Sequence, residues 1–280
     1  MASTGGQTPV GQNGLRWYVY GVVGAREAPN ELAAATAVDP SCRVTIVREG
    51  PLAAVASTVS VQEFSEARLR ETLKDPAWLE PRIRAHEQVL EAALAVTSVV
   101  PFRFCTLFGS ESDLRRFLGE RTSELSEALR RVAGRVEVGV KGFVARERLV
   151  EALATRNDAL RELEERVAAA QGGREYLERR RLQQLVAEET ERFKVETAHE
   201  LHQRLSAVSE EGVLNPMQSP EVSGREDEMF MNGAYLVERG IPFESEVGAL
   251  AARFAEFGVS LEMTGPWPPY NFVPHALEES

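Results

Sequence analysis

Residues 16–23, RWYVYGVV, form a nearly unbroken run of aromatic and β-branched side chains, the composition of a buried strand. The stretch CRVTIVRE, then Gly50 and Pro51, then LAAVAS reads as two strands joined by a tight turn, because glycine and proline supply the backbone angles that a reversal needs. The period then lengthens. Leu69 and Leu73, followed by Leu79, Ile83, His86, Val89 or Leu90, and Ala93 or Leu94, recur at steps of three and four. That spacing predicts a helical face running to about Val96 and covering the sheet. VVPFRF, Val99 to Phe104, returns to strand character, and Pro101 marks a strand end or an edge because it has no amide hydrogen to donate. After Gly109, Ser110 or Ser112 caps a further helix in which Leu114, Phe117, Leu118, Leu125 and Leu129 follow helical spacing.

A second cycle starts at Arg135. VEVGVKGFV alternates as a strand, and from about Arg146 to Glu210 Glu, Arg, Ala and Leu dominate. Leu149, Leu153, Leu160, Leu163 and Val167, then Leu182, Val186, Phe193, Leu201, Leu205 and Val208, trace a coiled-coil-like seam. Gly172-Gly173 interrupts it, which predicts two helices of roughly 35 to 55 Å each, as an antiparallel hairpin or a broken rod. Met229 to Val237 is a strand candidate, Pro242 to Phe257 a helix, and Val259 to Thr264 a last strand. The order from residue 135 suits a sheet with helices on one face, an elaborated ferredoxin-like unit.

The length of 280 residues favours two domains over one, and 43% hydrophobic with 27% charged residues is the make-up of a folded protein. A formal charge of -11 argues against a nucleic-acid track, and the run Arg179-Arg180-Arg181 has Glu175, Glu178, Glu188 and Glu189 around it, as a solvated, internally paired face would. No apolar run is long enough to span a membrane, and the start of the chain lacks the pattern of a secretory signal. Residues 1–14 read as a disordered leader.

Candidate chemistry is sparse. Cys42 and Cys105 show neither metal-ligand spacing nor a disulfide framework, and Cys105 beside Phe104 reads as a buried, inert thiol. Among His86, His199, His202 and His275, the i, i+3 pair His199 and His202 could face one metal, but nothing nearby completes a ligand set, so two polar residues on a charged helix is the stronger reading. His86 lies on an apolar helix face, where a core histidine with a hydrogen-bond partner is expected. Arg103 between Phe102 and Phe104 must point to solvent or find an acid, and a structural salt bridge is favoured over a ligand clamp. No phosphate loop, dinucleotide fingerprint or serine elbow occurs, and no cofactor is expected.

YVYGVV at Tyr18–Val23, VPFRFCTLF at Val100–Phe108, REYLERRRL at Arg174–Leu182, MNGAYLV at Met231–Val237 and GPWPPYNFV at Gly265–Val273 together resemble the GvpF/GvpL family of gas vesicle proteins, over about residues 15 to 275. GPWPPY is the most specific of these pieces. One departure is visible: where the family commonly has an RFGT pattern, this chain has Arg103-Phe104-Cys105-Thr106. The resemblance implies a two-domain α+β protein: an amino-terminal α/β sheet domain over 15–133, and over 134–280 a modified ferredoxin-like domain with long coiled-coil-like helices. It also implies a non-enzymatic accessory role in gas vesicle formation, as an assembly chaperone or minor structural component. The implied partners are the hydrophobic shell protein and other gas vesicle accessory proteins, with no nucleic acid and no membrane span. The implied location is cytoplasmic, beside the vesicle.

Two sites follow as expectations. Trp267, Pro268, Pro269, Tyr270 and Phe272 are stiff and apolar enough to form a structural clasp, with Trp267→Ala costing on the order of 3 kcal/mol. Trp17, Tyr18, Tyr20 and Phe102, on a sheet with a possible edge at Pro101, are candidates for receiving an apolar segment of a partner. The competing class is a small-molecule-binding enzyme or sensor on ferredoxin-like domains, which requires Arg103, His86 and an acid to converge on a pocket.

Overall fold

The structure, a computed structural model, describes residues 14–29, 35–240 and 242–274. The leader expected over 1–14, Gly14 apart, and His275 lie outside them. The chain divides into two compact units: the described residues up to Val136 together with those from Trp267 onward, and Glu137–Pro266.

The first unit is built on β1 (Leu15–Gly24), with the hairpin β2 (Thr45–Glu49) and β3 (Leu52–Ser60) closing at the expected Gly50-Pro51 turn. β1 pairs antiparallel with β3, and the register slips between Val19 and Gly21. The bulge at Tyr20 changes which side chains share a face, so Val19 and Val22 enter the same core cluster, which uninterrupted alternation would forbid. Gly21 has to be glycine, since a Cβ there would lie 2.6 Å from the Val100 carbonyl oxygen.

Helices α1 (Glu66–Thr72) and α2 (Pro76–Val96) follow, separated by Asp75, whose carboxylate accepts the Ala77 amide and caps α2. Of the strand expected over Val99–Phe104 only β4 (Val100–Pro101) forms, and β5 (Leu107–Phe108) follows after a break; both pair with β1. The break is a turn in which the Thr106 amide donates to the Arg103 carbonyl at 3.2 Å. Helices α3 (Glu111–Glu120), capped by Ser110, and α4 (Thr122–Val132) bring Leu114, Phe117, Leu118, Leu125, Ala128 and Val132 onto Val19, Val22, Ala54 and Phe102. α2 covers the opposite face, where Tyr18 and Tyr20 gather around His86.

In the second unit β6 (Arg135–Val144) leads into α5 (Arg146–Arg156), α6 (Asp158–Ala169) and α7 (Gly173–Ala207). The predicted break at Gly172-Gly173 is present, and a second one occurs at Asn157, whose side chain accepts the Ala159 and Leu160 amides and caps α6. At 35 residues α7 is about 52 Å long. Its buried face runs through Thr190, Lys194, Thr197, Leu201 and Leu205, and the Lys194 ammonium is held between Glu191 and Glu228. β7 (Glu211–Leu214), α8 (Pro220–Ser223), β8 (Glu228–Glu238), α9 (Phe243–Phe254) and β9 (Val259–Trp267) complete the unit, with the sheet in the order β7-β8-β6-β9. Val140, Met231, Tyr235, Leu201, Leu205, Val247, Leu250 and Phe254 share its core.

The last described residues return to the first unit. Pro268, Pro269, Phe272 and Val273 are buried, and Val273 joins the cluster of Val100, Phe102 and Phe117. Trp267 departs from expectation: it is 39% exposed, because burial of the segment starts one residue later at Pro268. Phe272→Ala is therefore expected to cost about 3 kcal/mol of unfolding free energy, and Trp267→Ala about 1 kcal/mol or less, by urea denaturation. Equal losses from the two variants would contradict this assignment.

Candidate functional site

His86 sits on α2 with no exposed surface. Its Nδ1 is 2.8 Å from the Tyr18 hydroxyl, and its Nε2 is 3.1 Å from both the Phe102 carbonyl oxygen and the Tyr270 hydroxyl. A carbonyl only accepts, so Nε2 carries the ring hydrogen and Nδ1 accepts from Tyr18. The Tyr18 oxygen in turn accepts the Cys105 amide at 3.1 Å, and the Tyr270 hydroxyl donates to Glu87 Oε1 at 3.1 Å. With the imidazole neutral each link has a donor and an acceptor, and Nδ1 accepts the Tyr18 hydroxyl hydrogen. Burial accordingly lowers His86 to about 4, against the opposing pull of the Phe102 carbonyl. Burial also holds Tyr18 well above its ordinary value, raises Glu87, and pushes the Cys105 thiol up to about 12. At neutral pH the imidazole is uncharged and Cys105 is a thiol rather than a thiolate.

Cys105 has φ 70°. It occupies the third position of the Arg103–Thr106 turn, where a positive φ calls for glycine. The RFGT pattern thus has a backbone reason, and this chain departs from it at the cost of strain.

Three of the four expected partner residues are core rather than surface. Tyr18, Tyr20 and Phe102 have no exposed area, because α2 covers one face of β1 and α3 with α4 the other. The Tyr20 hydroxyl is occupied by Ser57 and the Val38 amide. Trp17 is partly buried against the core cluster. The edge expected at Pro101 is blunted, since β4 and β5 are two residues each and Pro101 is buried. Arg103 is exposed, and neither it nor His86 lines either of the two cavities described below. In the second unit His202 turns Nδ1 to the Tyr235 hydroxyl at 3.1 Å, and burial followed by His199 lowers its pKa. Among the described residues no three His, Cys, Asp or Glu side chains are grouped to hold a metal.

The surface feature of the first unit lies elsewhere. Leu73, Pro76, Leu79 and Ile83, with Lys74, Glu80 and Arg84 at the rim, line a groove of about 410 Å³ along the end of α1 and the start of α2. Leu73 is 41% and Ile83 39% exposed. A second cavity of about 390 Å³, lined by Ala37, Val38, Pro40, Pro81, Arg82 and Ala85 among others, occupies another side of the same helix. Between Glu63 and α2, the Trp78 indole donates to Glu63 Oε1 at 2.9 Å, and the Arg82 guanidinium lies over the Trp78 ring while pairing with Glu63. The periodic stripe was legible in the sequence, but it predicted cover for its whole length. The stripe stays open through Ile83, and the buried residues of the helix begin at His86.

Two outcomes follow. The unfolded His86 titrates near 6.5 and the folded one near 4, so stability is fully present above pH 6.5 and declines as pH falls toward 4. Glu87, raised in the fold, offsets part of that decline. In His86→Gln, followed by urea unfolding between pH 7 and 4, the decline should flatten from its limit of about 1.4 kcal/mol per pH unit. An unchanged slope would place the titration elsewhere. Cys105→Gly keeps the amide bond to Tyr18 and relieves the positive φ, so it should raise stability by up to about 1 kcal/mol. A loss on the same measurement would mean that thiol packing outweighs the strain.

Residues 16–274 match the family described as gas vesicle synthesis protein GvpL/GvpF. The chain is 35% identical over 237 residues to gas vesicle protein L of a Streptomyces strain, CB03234, covering 84% of each chain. To gas vesicle protein L1 of Halobacterium salinarum it is 28% identical over 267 residues, covering 92% of this chain and 90% of that one. The crystal structure of the gas vesicle protein GvpF from Anabaena sp. PCC7120 superposes with a TM-score of 0.69 at 20% identity, covering 92% of this chain and 98% of that one, a likeness of fold. The fold, the motifs that build its core and these similarities converge: the chain belongs to the GvpL/GvpF family of gas vesicle synthesis proteins.

Proposed function

We propose that this protein is a non-enzymatic accessory factor of gas vesicle assembly, acting in the cytoplasm as a chaperone that holds an apolar segment of the shell protein in the α1–α2 groove. The observation that carries this reading is the uncovered part of the α2 stripe, where Leu79 and Ile83 continue a periodic apolar face that the sheet stops covering. A wall that excludes water needs subunits with extensive apolar surface, and such surface aggregates unless it is covered before assembly. A groove with an apolar floor and charged rim residues Lys74, Glu80 and Arg84 suits a helical or extended apolar segment. The remaining net charge of -11 keeps the loaded complex dispersed. Family membership supports the occupant.

The two compact units are on this reading two domains, the second an elaborated ferredoxin-like one. Its support is the chain order β6, helices, β7, β8, α9, β9 with the sheet order β7-β8-β6-β9. The tail from Pro268 serves as the clasp of the first domain. Among the described residues no helix is long and apolar enough to cross a membrane.

Co-expression tests the reading. With the shell protein at matched levels, this chain should move it from the pellet to the supernatant, and Ile83→Asp, at an exposed position that leaves the core intact, should cancel the effect. Equal pelleting with and without the chain would end the chaperone reading. Full rescue by Ile83→Asp would keep the chaperone and remove the groove.

A further inference from the structure

The start of α7 carries a second surface of a different kind. Tyr176 is 66% and Leu177 56% exposed, beside exposed Arg174, Arg179, Arg180 and Arg181. Arg179 pairs with Glu175 and Arg181 with Glu178. Arg174 and Arg180 have no acidic partner among the described residues, and for Arg180 the helix explains why: the positions three and four away on either side are Tyr176, Leu177, Gln183 and Gln184. Those positions form one face with Arg180 at its centre and Arg174 one turn from Leu177. The expected solvated, internally paired helix is therefore interrupted here by an aromatic, an aliphatic and two unpaired guanidiniums, in a chain whose net charge is -11. Tyrosine and arginine beside an apolar residue is the composition of interface centres rather than of ordinary charged surface.

We propose that the face formed by Arg174, Leu177 and Arg180, with Tyr176 flanking it beyond Arg180, docks an acidic helix of another protein, independently of the α1–α2 groove. Charge selects the occupant. Arg174 and Arg180 are separated by about 9 Å along the axis, close to the two-turn spacing of carboxylates at i and i+7 on a partner helix. Apolar residues at i+3 and i+4 of that helix meet Leu177, which lies between the two arginines one turn from each. Both ion pairs gain strength as the flanking rings and methyls exclude water.

The test uses the purified full chain and a fluorescent synthetic helix with Glu at i and i+7 and Leu at i+3 and i+4, alongside the same peptide with Lys in place of Glu. Anisotropy titration should show saturable binding of the acidic peptide alone, weakened by salt. Arg180→Glu and Leu177→Ser, both at exposed positions and checked by thermal unfolding, should each reduce affinity by about tenfold or more. Ile83→Asp should bind as the parent does, which separates this surface from the shell-protein groove. Equal binding of the lysine peptide, undiminished binding by Arg180→Glu, or no saturation at millimolar peptide overturns the proposal. Self-association by sedimentation that Arg180→Glu abolishes also overturns it, by making a second copy the occupant.

Discussion

A neutral imidazole with both nitrogens buried satisfies its surroundings in one hydrogen-bonding pattern, and much of the first unit is arranged around the pattern that His86 imposes. Its Nε2 fixes the Phe102 carbonyl, and with it the segment that pairs with the second edge of β1. Its Nδ1 fixes the Tyr18 hydroxyl, which then receives the amide of the strained Cys105 turn. Strand, helix, turn and tail thus meet on one five-membered ring. Four neighbouring aromatic and carbonyl groups keep water out, so each bond is made where a lost partner is costly. A network of this kind specifies one arrangement of the elements more sharply than apolar contact alone.

The same helix that delivers His86 also opens to solvent. From His86 onward α2 is a core element, with Val89, Leu90, Ala93 and Leu94 buried. Before it, half-buried Leu79 and exposed Ile83 hold the same periodicity, and Trp78 and Arg82 brace the helix against Glu63. Rigidity at one end and an open apolar floor at the other is a sound design for a surface that must stay unfilled yet remain shaped. The buried end supplies the order that the exposed end does not supply for itself.

How much of this was legible depended on whether the controlling interaction was local. The Gly50-Pro51 hairpin, the Ser110 cap and the Gly172 break rest on neighbouring residues, and each lies where the pattern placed it. The Asn157 cap was local as well, but it hid inside a leucine spacing that continued across it. The role of His86 as a hydrogen-bonded core residue was readable from its helix face, whereas its partners at Tyr18, Phe102 and Tyr270 come from distant parts of the chain. Aromatic strand residues give no sign of whether helices cover one face or both, so Tyr18, Tyr20 and Phe102 stood as candidates for receiving a partner's apolar segment although both faces of β1 are covered. The reverse error applies to Ile83, whose periodicity signalled cover that the fold does not provide.

The tail that completes the first unit is made only after the second unit. Val273 and Tyr270 reach their places among Phe102, Phe117 and His86 only after the whole of Glu137–Pro266 has been synthesised. At ribosomal speeds of about 5–20 residues per second, the amino-terminal sheet waits on the order of ten seconds with one flank of its core unfilled. A nascent chain that stalls or is cut short carries the α2 stripe and an open core side by side, the state that cellular proteases and chaperones recognise. Translation through Val273 thus becomes the condition for a finished first unit, and the order of synthesis acts as a check on the integrity of the product.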